Sequence, residues 1–165
     1  MDRAKLAEWS EIANIVGAVT VVISLVFVGL QVKENTAALR SQNQRALINS
    51  LADLEFGRVT DADLAGLMMR AEAGEPLEGV DRYRAESLAY LYLNNWEQAL
   101  HDYTHGLMEP EIWQALDQWL SGKMHDAYFR DTARQAIDAG TYSELFEAHL
   151  RSTLARTGPG GRSTS

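Results

Sequence analysis

The chain of 165 residues contains no cysteine and only three prolines. Without cysteine, no disulfide supports the fold, and no thiol serves as a nucleophile or a metal ligand. The sequence also lacks a Gly-x-Ser-x-Gly segment, a phosphate-binding glycine-rich loop and the paired Glu-x-x-His segments of di-iron bundles. We therefore assign no catalytic residue and no cofactor, and the sequence favours a protein that is not an enzyme.

Positive charge is in short supply. The 15 Lys and Arg residues are outnumbered by 23 Asp and Glu residues, which gives a formal net charge of −8 at pH 7. Nucleic-acid binding depends on Lys and Arg side chains that neutralise phosphates, so we expect no nucleic-acid partner.

Charge is absent altogether from Ile12 to Val32, a strongly apolar run. As a helix it spans roughly 30 Å, the thickness of the hydrocarbon core of a bilayer. A lone segment in lipid can satisfy its backbone hydrogen bonds only as a helix. We therefore predict an N-terminal tail over 1–11 and a transmembrane helix over 12–32, with the lipid bilayer as a partner. A buried core helix and a cleavable signal peptide are the alternatives.

Small and polar residues of this run share one helical face at alternating spacings of three and four. They include Gly17, Ser24, Gln31 and Asn35. Such residues let transmembrane helices approach closely and hydrogen-bond, so the pattern predicts self-association into a homo-oligomer. The alternatives are a polar-lined pore, as in an oligomeric channel, and a few tolerated polar residues that face lipid or headgroups.

Glycine and proline are absent from 33–56, and helix-forming residues dominate there. The pattern predicts a helical stalk over 33–57 that ends at Gly57, followed by a small helical domain over 58–156. The tail over 157–165 has too little apolar content to pack, and we expect it to be disordered. The predicted fold class is all-α: one transmembrane helix that continues into a stalk, then a small helical bundle.

Within the domain, the helix predicted from Asp81 to Thr104 has the strongest apolar face. Its spacing predicts burial of Tyr83, Leu88, Leu91, Tyr92, Trp96 and Ala99.

Polar residues of this helix form two candidate sites. Glu97, His101 and His105 recur every four residues, a spacing at which two imidazoles and a carboxylate can bind one metal ion. Structural or exposed histidines are the alternative. Asn95, Trp96, Glu97 and Tyr103 predict a ligand pocket, the alternative being an internal hydrogen-bond network between helices.

Two blocks of the sequence resemble a large group of bacterial proteins that have one N-terminal transmembrane helix and a helical domain of about this size. The first block comprises Trp9, Ile12, Val16, Gly17, Ser24, Leu25, Phe27, Gln31, Val32, Lys33, Asn35 and Thr36, and the second comprises Asn95, Trp96, Glu97, Tyr103, Gly106, Leu107, Glu111 and Trp113. The resemblance implies this architecture at a bacterial inner membrane. It implies no chemistry, because the group has no assigned activity.

The flanking charges barely discriminate between the two orientations. Arg3 and Lys5 precede the apolar run, whereas Lys33, Arg40 and Arg45 follow it. A short N-terminal tail is translocated easily, so we expect the domain in the cytoplasm.

Taken together, the sequence predicts a membrane-anchored interaction or assembly module with a possible protein partner. The alternatives are a small-ligand sensor, a metal-dependent enzyme and a homo-oligomeric channel.

Overall fold

The computed structural model describes the backbone of residues 3–157 and the side chains of residues 16–157. Within this range the chain forms six α-helices, one 3₁₀ turn and no strand, which confirms the all-α prediction. The elements are α1 (Arg3–Thr60), α2 (Ala62–Glu72), α3 (Gly79–Thr104), α4 (Pro110–Gly122), the 3₁₀ turn (Lys123–His125), α5 (Ala127–Asp138) and α6 (Glu144–Thr157). The predicted disordered tail lies outside the described residues, except that Thr157 ends α6.

The chain divides after Ser41 into two compact units. The first unit contains the apolar part of α1. In it, an 18-residue window has a mean hydropathy of 2.0 and no buried residue. The large apolar side chains from Val16 to Val32 are 52–67% exposed, whereas the side chains of a core helix would be buried. Among the described residues, α1 is the one helix that is long and apolar enough to cross a membrane.

The second unit begins with the last turns of α1, where Leu47 and Leu51 are buried in the core. α1 passes through Gly57, where the sequence predicts its end, and stops at Thr60. The reason lies at Asp61, whose extended backbone and side chain cap the start of α2. A glycine inside a helix costs only about 1 kcal/mol, and the new cap rather than Gly57 sets the boundary.

Three helices end at glycines that have positive φ angles. These are Gly74 (77°), Gly106 (68°) and Gly140 (62°), which follow α2, α3 and α5. After α3, the Gly106 amide donates to the carbonyl of Tyr103 and the Leu107 amide to that of Asp102, the pattern of a Schellman cap. Residues with a side chain rarely adopt this backbone conformation, which explains why the glycines mark the helix ends.

The starts of α2 and α4 follow local sequence signals. Asp61 Oδ1 accepts hydrogen bonds from the amides of Asp63 and Leu64, and Pro110 is the first residue of α4. The start of α3 differs from the prediction, because the helix begins at Gly79 rather than after Asp81. The Asp81 carboxylate instead accepts a hydrogen bond of 2.6 Å from Arg70 of α2.

Helix α3 lies at the centre of the bundle, because it contacts α2, α4 and α5. The largest fully buried side chains are Trp96, Tyr92, Phe129 and Phe146. Their rings meet edge to face, at 6.3 Å between Tyr92 and Phe129 and 5.8 Å between Trp96 and Phe146. Burial of such rings contributes most of the apolar stabilisation of a small domain.

Two residues predicted to be buried on α3 are exposed. Tyr83 is 72% exposed and Leu91 is 45% exposed. Both lie about 100° or more around the helix from Tyr92 and Trp96. The predicted apolar face was therefore wider than the face that the neighbouring helices cover.

Candidate functional site

The four residues of the predicted ligand pocket do not share one cavity. Asn95 lines a cleft with α1, Trp96 is fully buried, and Glu97 lines a separate cleft with Ser143. The ring of Tyr103 stacks on that of Trp113, with centroids 5.3 Å apart. The four side chains therefore do not line a common ligand pocket.

Two polar side chains of α3 form hydrogen bonds with the segment that precedes α6. Glu97 Oε1 accepts a hydrogen bond of 2.8 Å from the backbone amide of Ser143. Beside it, Tyr142 donates to Asn94 Oδ1 at 2.9 Å. Both bonds tie α3 to the segment where α6 begins. Both are exposed contacts with the connection between α5 and α6, and the ligand pocket stays a prediction from the sequence.

The three residues of the predicted metal site are not grouped as ligands. The rings of His101 and His105 stack with centroids 4.1 Å apart, and His105 Nδ1 lies 2.8 Å from the carbonyl of His101. Among residues 16–157, no three His, Asp or Glu side chains are placed to hold one metal ion. Metal binding at Glu97, His101 and His105 thus remains a prediction from spacing.

A partly buried Asp–His pair, absent from the sequence predictions, joins α4 and α6. Asp117 Oδ1 lies 2.7 Å from His149 Nε2 and accepts a hydrogen bond of 2.9 Å from the indole N–H of Trp96. Burial alone raises the pKa of Asp117, but the hydrogen bond and charge of His149, together with the Trp96 bond, outweigh it and lower that pKa.

The Asp117 carboxylate orients the imidazole of His149, as the carboxylate of a catalytic triad does, but it contacts Nε2 rather than Nδ1. Within the described residues, no Ser or Thr hydroxyl is hydrogen-bonded to His149. Through Asp117, the pair and the Trp96 indole link α3, α4 and α6. A sequence clue exists: each residue is polar and lies on an otherwise apolar helical stripe. The contact between the two residues could not be predicted from the sequence, because 32 positions separate them.

A second polar cluster attaches the end of α1 to the domain. Glu55 Oε1 accepts hydrogen bonds from the hydroxyl of Tyr92 (2.8 Å) and from the ammonium of Lys123 (2.9 Å). The ammonium also lies 4.2 Å from the ring centroid of Tyr92 and 4.5 Å from that of Trp119. Burial raises the pKa of Glu55, but the bonds from Lys123 and Tyr92 outweigh it, so the pKa lies below its ordinary value.

Two clefts lie between α1 and its neighbours in the second unit. A polar cleft of about 300 Å³ is lined by Asn43, Ala46, Leu47, Ser50, Asn95, Gln98 and Asp102. An almost wholly apolar cleft of about 430 Å³ is lined by Gln44, Leu47, Ile48, Met108, Glu111, Ile112, Ala115, Leu116 and Trp119.

The predicted self-association residues Gly17, Ser24, Gln31 and Asn35 are all exposed on α1. The Ser24 hydroxyl donates to the carbonyl of Thr20 at 2.8 Å, which satisfies it within the helix. A methyl group built on Gly17 would meet no atom within 4 Å. The face is therefore small and unobstructed.

Comparison with known proteins gives no relative. No family model matches the chain, and no curated protein or solved structure matches it.

Proposed function

We propose that the protein is a single-pass membrane protein whose helical domain serves as an interaction and assembly module, and that copies associate along α1. The observation that carries the proposal is the apolar window of α1, which is unburied and belongs to the same helix that supplies Leu47 and Leu51 to the core. Exposed apolar surface of this extent is tolerated in lipid and not in water.

The self-association face supports the assembly role. Residues 17, 24 and 31 are one heptad apart, and an α-helix drifts only about 20° per heptad, so they stay on one side. Within the described residues, the Gln31 amide has no hydrogen-bond partner. Gln31 lies at the end of the predicted span, close to Lys33, and a second copy of α1 would supply its amide with a partner there.

The membrane we propose is the inner membrane of a bacterium, with the domain in the cytoplasm. The natural chain has no cysteine, so the variant Ala148→Cys carries a single thiol on an exposed position of α6. A maleimide that cannot cross the inner membrane should label this thiol only after the cells are permeabilised. Labelling in intact cells would place the domain on the other side.

The assembly proposal is tested by the mass of the full-length protein in mild detergent, measured by light scattering and corrected for bound detergent. A defined oligomer is the expected result. In membranes, Ser24→Cys should form an oxidised dimer, whereas Val26→Cys, about 160° away on the helix, should not. A monomeric mass together with no crosslinking at Ser24→Cys would refute self-association and leave α1 as a tether.

A further inference from the structure

The polar cleft between α1 and α3 contains a buried carboxylate that, among residues 16–157, pairs with no Lys or Arg. Asp102 is 3% exposed and lies in the last turn of α3. Negative charge is disfavoured there, because the C-terminal end of a helix dipole is itself negative. Gln98 Nε2 donates to Asp102 Oδ1 at 2.9 Å, and His101 Nδ1 is 3.7 Å from the same oxygen. Within residues 16–157, no Lys or Arg reaches this carboxylate and no donor reaches Oδ2.

Two of the three amide side chains that line the cleft donate within α3 through their nitrogens, whereas the third, Asn43, offers the cleft both donors and an acceptor. The amide nitrogen of Asn95 donates to the carbonyl of Leu91 at 2.8 Å, and that of Gln98 is used by Asp102. Within the described residues, the side-chain oxygens of Asn95 and Gln98 are left without a donor. The hydroxyl of Ser50 also lines the cleft, and no Lys or Arg does.

One carboxylate beside two amide oxygens suits a cation that carries several N–H donors. An alkylammonium group has three such donors and no acceptor. A bare metal ion suits the site less well, since one carboxylate lines the cleft. The volume of about 300 Å³ is at the lower end of small-molecule pockets. Ala46 and Leu47 add apolar surface for a short alkyl chain.

We infer that this cleft binds a small primary amine, with the ammonium held by Asp102 and by the side-chain oxygens of Asn95 and Gln98. This binding site goes beyond the proposed anchoring and assembly, and it does not depend on self-association. Because α1 forms one wall and α3 the other, a bound amine would bridge the two helices.

The probe is n-butylammonium, titrated into the full-length protein in mild detergent at constant ionic strength and followed by saturation-transfer NMR. Saturable binding is expected, at least tenfold stronger than that of n-butanol, which has one donor and no charge. Asp102→Asn keeps the shape of the side chain and should weaken binding at least tenfold. Asp138 is an exposed carboxylate at the end of α5. The Asp138→Asn variant is the matched control and should bind n-butylammonium as the natural protein does.

Circular dichroism shows whether Asp102→Asn is folded. If its helical signal falls, Asn95→Leu replaces it, since the Asn95 amide bonds only within α3 and its loss should weaken binding several-fold. Three outcomes would overturn the proposal: no saturable binding of n-butylammonium, equal binding of n-butanol, or unchanged affinity in the folded variant.

Discussion

The ammonium of Lys123 lies 2.9 Å from Oε1 of Glu55, although 68 positions separate the two residues. Lys123 follows α4 directly, and Glu55 lies near the end of α1. The lysine side chain is only 14% exposed and is held against the rings of Tyr92 and Trp119. One cation therefore joins α1, α3 and α4, and it reinforces the apolar contacts made by the last turns of α1.

Replacing Lys123 with methionine keeps most of the apolar stem and removes the charge. We expect the free energy of unfolding to fall by about 1–3 kcal/mol, because Glu55 loses a charged donor and the two rings lose a cation. Thermal unfolding of the full-length protein in detergent, followed by the near-ultraviolet circular dichroism of the aromatic rings, measures the loss.

Arg134→Met is the matched control for this substitution. Arg134 pairs with Asp131 at 2.8 Å, but the two side chains are 49% and 60% exposed. Exposed pairs of this kind contribute little, so the change should stay within about 0.5 kcal/mol. Equal effects of the two substitutions would show that Lys123 acts as an ordinary surface charge.

The carboxylate of Glu55 should make stability depend on acid pH. Its pKa in the folded protein lies below the ordinary value of 4.5. A lowered pKa gives stability that is present above the ordinary value and is lost as the pH falls through the folded value. Glu55→Gln should therefore lower the melting temperature at pH 7, and its difference from the natural protein should shrink below about pH 4.5.

Glu78→Gln serves as the control for this pH profile. Glu78 is exposed, and its side chain forms no cap hydrogen bond at the start of α3. The melting temperature of the Glu78→Gln variant should follow that of the natural protein at every pH. A difference between Glu55→Gln and the natural protein that stays constant from pH 7 to pH 3 would contradict a stabilising role for the ionised carboxylate.

Much of the fold could be predicted from local chemistry in the sequence. Helix starts at Asp61 and Pro110 and helix ends at Gly106 and Gly140 could be predicted, since each depends on a few neighbouring residues. The continuation of α1 through Gly57 could not be predicted, because the cap at Asp61 sets the helix boundary instead. The exposure of Tyr83 depends on which side of α3 the other helices cover.

The candidate sites were less predictable than the fold. Glu97 and His101 line one cleft beside Ser143, whereas their sequence neighbour Asn95 lines the cleft between α3 and α1. The Asp117–His149 pair and the Glu55–Lys123 pair depend on contacts between distant segments, for which a single sequence gives no spacing rule. In each case a polar residue on an apolar stripe was the available clue.

The Asp117 carboxylate should stabilise the fold, because it accepts a hydrogen bond from the buried indole of Trp96. Asp117→Ala leaves the N–H of Trp96, a residue with 0% exposure, without an acceptor. We expect a loss of about 1–3 kcal/mol, the usual cost of an unsatisfied buried donor. Asp117→Asn retains an acceptor oxygen and should recover part of the loss in the same thermal assay, whereas Asp138→Ala should have almost no effect.

Gly17 and Gly29 allow a matched test of assembly through α1. A Cβ atom added at either position would meet no atom within 4 Å apart from its own helical neighbours, so we expect the monomer to accommodate isoleucine at both. The two glycines lie about 120° apart around the helix, and only Gly17 lies on the proposed interface. Gly17→Ile should hold two helices apart and reduce the detergent-corrected mass to that of a monomer.

Gly29→Ile adds the same apolar bulk on the side that we assign to lipid, and its mass should equal that of the natural protein. This comparison separates loss of the interface from a general effect of isoleucine on α1. An unchanged mass in Gly17→Ile, or an equal loss in both variants, would show that the face through Gly17, Ser24 and Gln31 does not hold copies together. The copies would then have to meet, if at all, through the helical domain.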